Sequence, residues 1–419
     1  MTVANSIISN NSGTGVYNNQ GTLAVSSCVL SGNSTGVYNY AAQDGASVTV
    51  TNSNISNNSL FGALNFLPLP DGSGCACMTI SGSTVSNNAP GGIRNSGNNF
   101  GNGTASLTVV NSNVSDNDGI GITNNGCQGS ASATILSTAV SGNSAGGVDT
   151  LGLCALFGSA GVTITDCTIS GNSANGGIRS ATSALTVANS TVSGNSSGDT
   201  GGGIFASSVI IGGPHVSIVN STISGNSAGT SGGGIYYSGS QDASIVNSTV
   251  SGNSAGTSGG GISNVGSSFH VENSTITGNS AGSGGGIYND GGQSEISNTI
   301  LNAGALGENI VNSGGTVTSH GYNLSSDDGG GYLNGPGDQI NTDPMLGPLQ
   351  NHGGPTFIHA LSLHSPAINA GDPSFAPPPS YDQRGSPFVR VFNGRLDIGS
   401  FEAQPGYRHP TPHPRPTPP

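Results

Sequence analysis

Apolar and polar positions alternate in short runs along the first three hundred residues. ASLTVV from Ala105, ALTVAN from Ala184 and VSIVNS from Val216 each keep a period of two, the pattern of half-buried strands. Nothing holds a 3.6-residue period for long, so helices are expected to be scarce. Between the strands one phrase keeps returning: NSIISNN at Asn5, NSNISNN at Asn52, NSNVSDN at Asn111, then NSTVSGN, NSTISGN, NSTVSGN and NSTITGN. Its last asparagine falls at Asn11, Asn33, Asn58, Asn88, Asn117, Asn143, Asn172, Asn195, Asn226, Asn253 and Asn279, at intervals of 22 to 31 residues. A glycine, one apolar residue and a short strand follow, as in GVYN at Gly15 and Gly36, GIRN at Gly92, GGIF at Gly202 and GGIY at Gly233 and Gly285.

Self-similarity of this length marks a solenoid. Each winding holds several short strands, and each strand pairs in parallel with its equivalent about 4.8 Å further along the axis. The expected fold is all-β: a right-handed parallel β-helix of about eleven or twelve coils, on the order of 55 Å long. Ile8, Leu30, Ile55, Val85, Val114 and their successors to Ile276 are expected to fill one inner column, and the apolar residues from Val16 to Ile287 another. The eleven asparagines are read as a structural ladder, because a carboxamide both donates and accepts and so bonds to its copies up the axis. Glycines supply positive φ and close approach at the corners. Asp149 and Arg179 share the slot after G-[VI] in consecutive coils and are expected side by side as an ion pair. Glu272 and Glu295 are expected near each other without a cationic partner.

Composition sharpens this reading. With 72 glycines, 6% charged residues, 5% aromatics and no tryptophan, one elongated body is favoured over a compact core. A formal charge of -13 disfavours nucleic acid and anionic membrane surfaces as partners. No lysine is present, which removes the usual protection of exposed strand edges. No stretch is apolar for the length of a membrane span. Residues 1–10 lack the basic start and apolar middle of a signal peptide, and the repeat is already under way at Asn5, as expected of a fragment. The six cysteines, Cys28, Cys75, Cys77, Cys127, Cys154 and Cys167, show no C-x-x-C spacing of a zinc site. They suit disulfides or small buried apolar residues equally.

Candidate chemistry is sparse. The sequence lacks the EF-hand and GGxGxD patterns of calcium loops, and Asp327–Asp328 reads as a solvated turn. Thr168-x-Ser170, Thr191-x-Ser193, Thr222-x-Ser224, Thr249-x-Ser251 and Thr275-x-Thr277 form a flat hydroxyl array resembling those of ice-binding solenoids. No catalytic centre is recognisable, and no cofactor or metal is expected.

From about Asn341 the style changes. DPMLGPL (Asp343–Leu349), NHGGPT (Asn351–Thr356), HAL (His359–Leu361), SPAINAG (Ser365–Gly371), DQRG (Asp382–Gly385) and DIGSFE (Asp397–Glu402) follow in order. This series resembles the choice-of-anchor Q domain of bacterial surface proteins, and the upstream repeats look like the β-helices that precede it. The resemblance implies an exported protein whose C-terminal block follows the solenoid and precedes an attachment device. The expected organisation is therefore β-helix repeats over 1–340, a β-rich capping or anchor-associated block over 341–404, and an extended Pro-rich spacer over 405–419. His352, His359 and His364 with Asp372, Asp382 and Asp397 are read as turn and capping residues, since the resemblance carries no catalytic assignment. The favoured function is an extracellular or cell-surface scaffold, adhesive or self-associating, with itself or an extracellular glycan as partner. The second reading is a polysaccharide-binding or polysaccharide-cleaving β-helix enzyme, and the third is ice binding.

Overall fold

A computed structural model of the chain describes residues 1–42, 45–68, 74–97, 103–126, 129–152, 159–181, 183–207 and 215–404. Its body is a right-handed parallel β-helix. Each winding passes through three sheets in turn, of 13, 13 and 12 strands. The first runs from Thr2–Ala4 to Thr316–Gly321, the second from Ile7–Ser9 to Leu324–Ser325, and the third from Val16–Asn19 to Ile310–Asn312. The described residues include no α-helix; a single 3-10 turn lies at Gly329–Gly331.

The repeated phrase encodes one corner and one strand. In Asn189–Asn195, Asn189 turns the chain at φ 49°, a left-handed conformation that asparagine tolerates. The Ser190 hydroxyl points inward, accepts from the Cys167 amide at 3.0 Å and donates to the Ala188 carbonyl at 2.7 Å. Val192 is fully buried while Thr191 and Ser193 face outward. Gly194 makes the second corner at φ 62°, and Asn195 enters the ladder. Register is kept throughout the second sheet, so Ile8 meets Leu30, Leu30 meets Ile55, and so on to Ile276.

The asparagine ladder is continuous. Nine of its ten steps are side-chain amide to side-chain carbonyl bonds of 2.8–3.0 Å. At the remaining step the Asn33 backbone amide donates to Asn58 Oδ1 at 3.0 Å. The glycine of the G-[VI] phrase lies against this ladder: a Cβ on Gly121 would stand 2.7 Å from Asn143 Nδ2 and 2.8 Å from the Gly147 carbonyl. Close approach, rather than positive φ, fixes glycine there.

Two further inner columns carry polar groups that the sequence reading did not single out. In the third sheet Asn18, Asn39, Asn65, Asn95 and Asn124 bond in series at 2.7–2.8 Å. The column then passes through Thr150, Ser180, Ala206 and Tyr237 and resumes with Asn264, Asn289 and Asn312. Between the first and second sheets, backbone amides donate to the hydroxyl one coil on, from Ser53 through Ser83, Ser112 and Thr138 and again from Ser190 to Thr299. Cys28 and Cys167 occupy slots of this hydroxyl column, buried and unbridged. Cys75 and Cys77 form a disulfide on one strand, whereas Cys127 and Cys154 lie outside the described residues, as does the Pro-rich stretch 405–419.

Beyond Ser325 the chain folds back along the second sheet. Leu346–Gln350 and Ile358–Leu361 make a small antiparallel pair, and an apolar cluster joins Ile300 and Leu324 to Ile358, Leu361, Ile398 and Phe401. This docking corrects the reading of the hydroxyl array as an open, ice-binding face. Thr222, Thr249 and Thr275 are at most 1% exposed, because the block lies on them. Gln383, itself fully buried, accepts from Thr249 Oγ1 at 2.6 Å and donates to Thr222 Oγ1 at 2.8 Å and to the Ser221 carbonyl at 3.2 Å. The rows at Thr168 and Thr191, and Ser224 of the third row, stay accessible.

The ladder sets a stability prediction. Asn143→Ala removes the carbonyl that serves Asn117 and the amide that serves Asn172 and the Val114 carbonyl, leaving buried groups unpaired at a cost of about 3 kcal/mol. Hydrogen exchange should show that loss in the strands Asn113–Ser115, Ala139–Ser141 and Thr168–Ser170; unchanged protection there refutes a stabilising role.

Candidate functional site

Among the described residues, chemistry-bearing side chains gather mainly at the interface of the C-terminal block and on the outer face of the third sheet.

In the block the elements DQRG and DIGSFE converge on a buried charged centre. Arg384 forms an ion pair with Asp382 at 2.5 Å and lies between the rings of Phe388 and Phe401, 3.8 and 4.2 Å from their centroids. Arg390, fully buried, donates to Asn273 Oδ1 at 3.2 Å and to the Gly399 carbonyl at 2.6 Å, tying the block to the solenoid. Asp397 accepts from the Asn369 and Ala403 amides, and Glu402 from those of Phe392 and Asp397. His359 donates through Nδ1 to the Gly347 carbonyl at 2.7 Å, which leaves Nε2 to accept from Ser251 Oγ at 2.8 Å; burial holds it below the usual histidine range. His364 is exposed and Asp372 closes a turn at Ser374. Most of these groups bind backbone or one another, and among the described residues no group of three His, Cys, Asp or Glu side chains is placed to hold a metal ion.

Elsewhere several carboxylates are similarly engaged. Asp327 accepts from the Asn309 and Gly329 amides, and Asp328 from that of Gly330. Glu295 is opposite His270, not Glu272, and its Oε2 lies 3.3 Å from His270 and 2.9 Å from His320. A β-bulge at Ile296/Ser297 turns His320 toward it. The expectation of a partnerless Glu272–Glu295 pair is thus corrected: Glu295 is partnered by two histidines, which a search for lysine and arginine overlooks.

The third sheet is different, because its outer face gathers partly exposed aromatic side chains, although Asp149 and Ser263 on it are buried. The residue after G-[VI] points outward there in every coil, and register stacks these residues into one column. It begins with Tyr17, Tyr38, Leu64 and Arg94, passes Thr123, Asp149 and Arg179, and continues with Phe205, Tyr236, Ser263 and Tyr288. Tyr40, Phe61 and Phe66 flank its start, so eight of the chain's 10 tyrosines and 11 phenylalanines lie on this face, partly exposed. Tyr17 and Tyr38 stand 5.2 Å apart, Tyr40 and Phe66 6.2 Å apart, and Phe205 stacks on Tyr236 at 5.4 Å with planes 4° apart. Arg94 sits over Phe61 at 5.7 Å and Arg179 over Phe205 at 5.5 Å. Asp149 and Arg179 adjoin at 3.2 Å; burial pushes Asp149 up, opposed by the guanidinium. Two shallow recesses interrupt the strip, one of about 140 Å³ beside Arg94 and one of about 170 Å³ beside Arg179. The sequence signal was present in GVYN, GIRN, GGIF and GGIY, but these were read for their inward residues.

One family model agrees on the fold. The family described as right handed beta helix region matches residues 100–276. No curated protein matches significantly. Among solved structures, the chain is similar to pectate lyase Pel9A, at 14% identity over 95% of this chain and 88% of that one with a TM-score of 0.40. It is also similar to the Azotobacter vinelandii mannuronan C-5 epimerase AlgE4 A-module, at 12% identity over 76% and 88% with a TM-score of 0.30. No chemistry is carried over from either.

The buried centre of the block has a pH signature. Burial, and then the Asp397 carboxylate, push Glu402 up to about 8 from an ordinary 4.5, although Arg390 pulls the other way. Between those values the folded block holds a proton that the unfolded chain has released, so stability falls as pH rises. His352 and His359 are both held below 6.5 by burial and leave the upper part of the window clear. Protection factors in Ile358–Leu361 should decline from about pH 6.5 to about pH 8; constant or rising protection contradicts the assignment.

Proposed function

We propose that this chain is an exported, non-catalytic β-helix scaffold of the bacterial cell surface that binds an extracellular polysaccharide along the outer face of its third sheet. The observation carrying this reading is the aromatic column. Tyrosine and phenylalanine rings present flat apolar area with, in tyrosine, a hydroxyl at the rim, and the C–H faces of sugar rings pack on such surfaces. Two ring pairs, Tyr17 with Tyr38 and Phe205 with Tyr236, lie along one straight axis, each pair near one strand spacing of about 4.8 Å apart, which suits a linear polymer better than a globular partner. Small polar residues beside the column, among them Asn19, Ser207 and Ser238, offer hydrogen bonds to hydroxyls. The net charge of -13 weighs against polymers carrying a charge on every sugar. Export and surface attachment are supported by the resemblance of the C-terminal block to the choice-of-anchor Q domain. The engagement of Asp149, Glu295, Asp327, Asp328, Asp382, Asp397 and Glu402 with backbone, arginine or histidine favours binding over cleavage.

A glycan array followed by titration calorimetry tests the reading. Tyr38→Ala and Tyr236→Ala should each weaken binding about tenfold, the loss of about 1.4 kcal/mol of stacking, while Thr168→Ala, on the second sheet, should leave it unchanged. Binding to no polysaccharide, or equal loss from the second-sheet variant, rejects the proposal.

A further inference from the structure

We infer that the recess beside Arg94 is a subsite for the carboxylate of an acidic sugar within an otherwise largely uncharged chain. This inference rests on the glycan reading above and specifies its chemistry. Arg94 differs from every other described arginine. Arg179 is paired with Asp149, Arg384 with Asp382, Arg390 is bonded to Asn273 and the Gly399 carbonyl, and Arg395 donates to the Ala370 and Gly371 carbonyls. Arg94 has no carboxylate or carbonyl partner among the described residues; its guanidinium lies only over the Phe61 ring.

Its surroundings are built for one ring. The recess of about 140 Å³ is lined by Tyr38, Phe61, Leu64, Phe66 and Arg94: four apolar or aromatic side chains and one cation. A pyranose seated on Tyr38 and Phe66 places a C5 carboxylate within reach of the guanidinium, whose planar fork matches a carboxylate with two parallel N–H donors. The equivalent recess three windings on, beside Arg179, has Asp149 and Asp199 at hand and offers no net attraction to an anion. The face therefore distinguishes sugar positions: an acidic residue over Arg94, uncharged ones over the stacked rings of Phe205 and Tyr236.

The test uses the full chain and two probes, a glucuronic-acid-containing oligosaccharide and the same oligosaccharide after carboxyl reduction, titrated into the wild type, Arg94→Gln and Arg179→Gln. The wild type should bind the acidic form about tenfold more tightly, with the difference shrinking as salt is raised. Arg94→Gln should abolish the preference while still binding the reduced form, and Arg179→Gln should retain it. Circular dichroism should show both variants folded. Equal wild-type affinity for the two forms, or a preference surviving in Arg94→Gln, overturns the inference and leaves the glycan reading standing. Binding of neither form overturns both.

Discussion

The whole structure depends on one constraint: a side chain in the core of this rod must be compatible with its own copy about 4.8 Å above and below it. Asparagine meets that demand by donating to one neighbour and accepting from the next, and each inward amide also satisfies a backbone carbonyl of the coil before, as Asn143 does for Val114. Isoleucine and valine meet it by packing. Glycine meets it where the ladder approaches too closely for a Cβ. A core so thin needs few aromatics, and the composition follows from the geometry rather than the reverse.

The same constraint explains how much could be read from the amino acids alone. Copies stacked by register leave the same short phrase recurring along the chain, so the winding, the first ladder and the neighbouring slots of Asp149 and Arg179 are visible without coordinates. The second asparagine column was legible in GVYN and GIRN but passed unnoticed, because it breaks at Thr150 and returns only at Asn264. Lateral contacts leave no such trace. Nothing periodic announces that Gln383 reaches Thr222 and Thr249 across more than 130 residues, and a hydroxyl row destined for burial looks the same as one destined for solvent. His320 escaped for a related reason: a bulge, not the repeat, brings it to Glu295.

Covering one face assigns the others their roles. With the C-terminal block seated over part of the second sheet through buried Gln383 and Arg390, a partner sees the third sheet as the aromatic side of the rod. The outward slot there is free of the packing demands that govern the inner columns, so it varies among Tyr, Leu, Arg, Thr, Asp and Phe while the core repeats. If the proposed glycan reading holds, ligand preference is written in the letter after each G-[VI], one position per coil.

Direct superposition of equivalent slots is the claim from which the rest follows, and a distance measures it. Ser31 and Ser170 occupy the same second-sheet slot five coils apart, linked in register through Ser56, Ser86, Ser115 and Ser141. Nitroxides at these two positions, examined by pulsed electron paramagnetic resonance, should give one narrow distribution near about 24 Å, five strand spacings. A broad distribution, or a mean far from that value, contradicts the stacked arrangement and everything built on it.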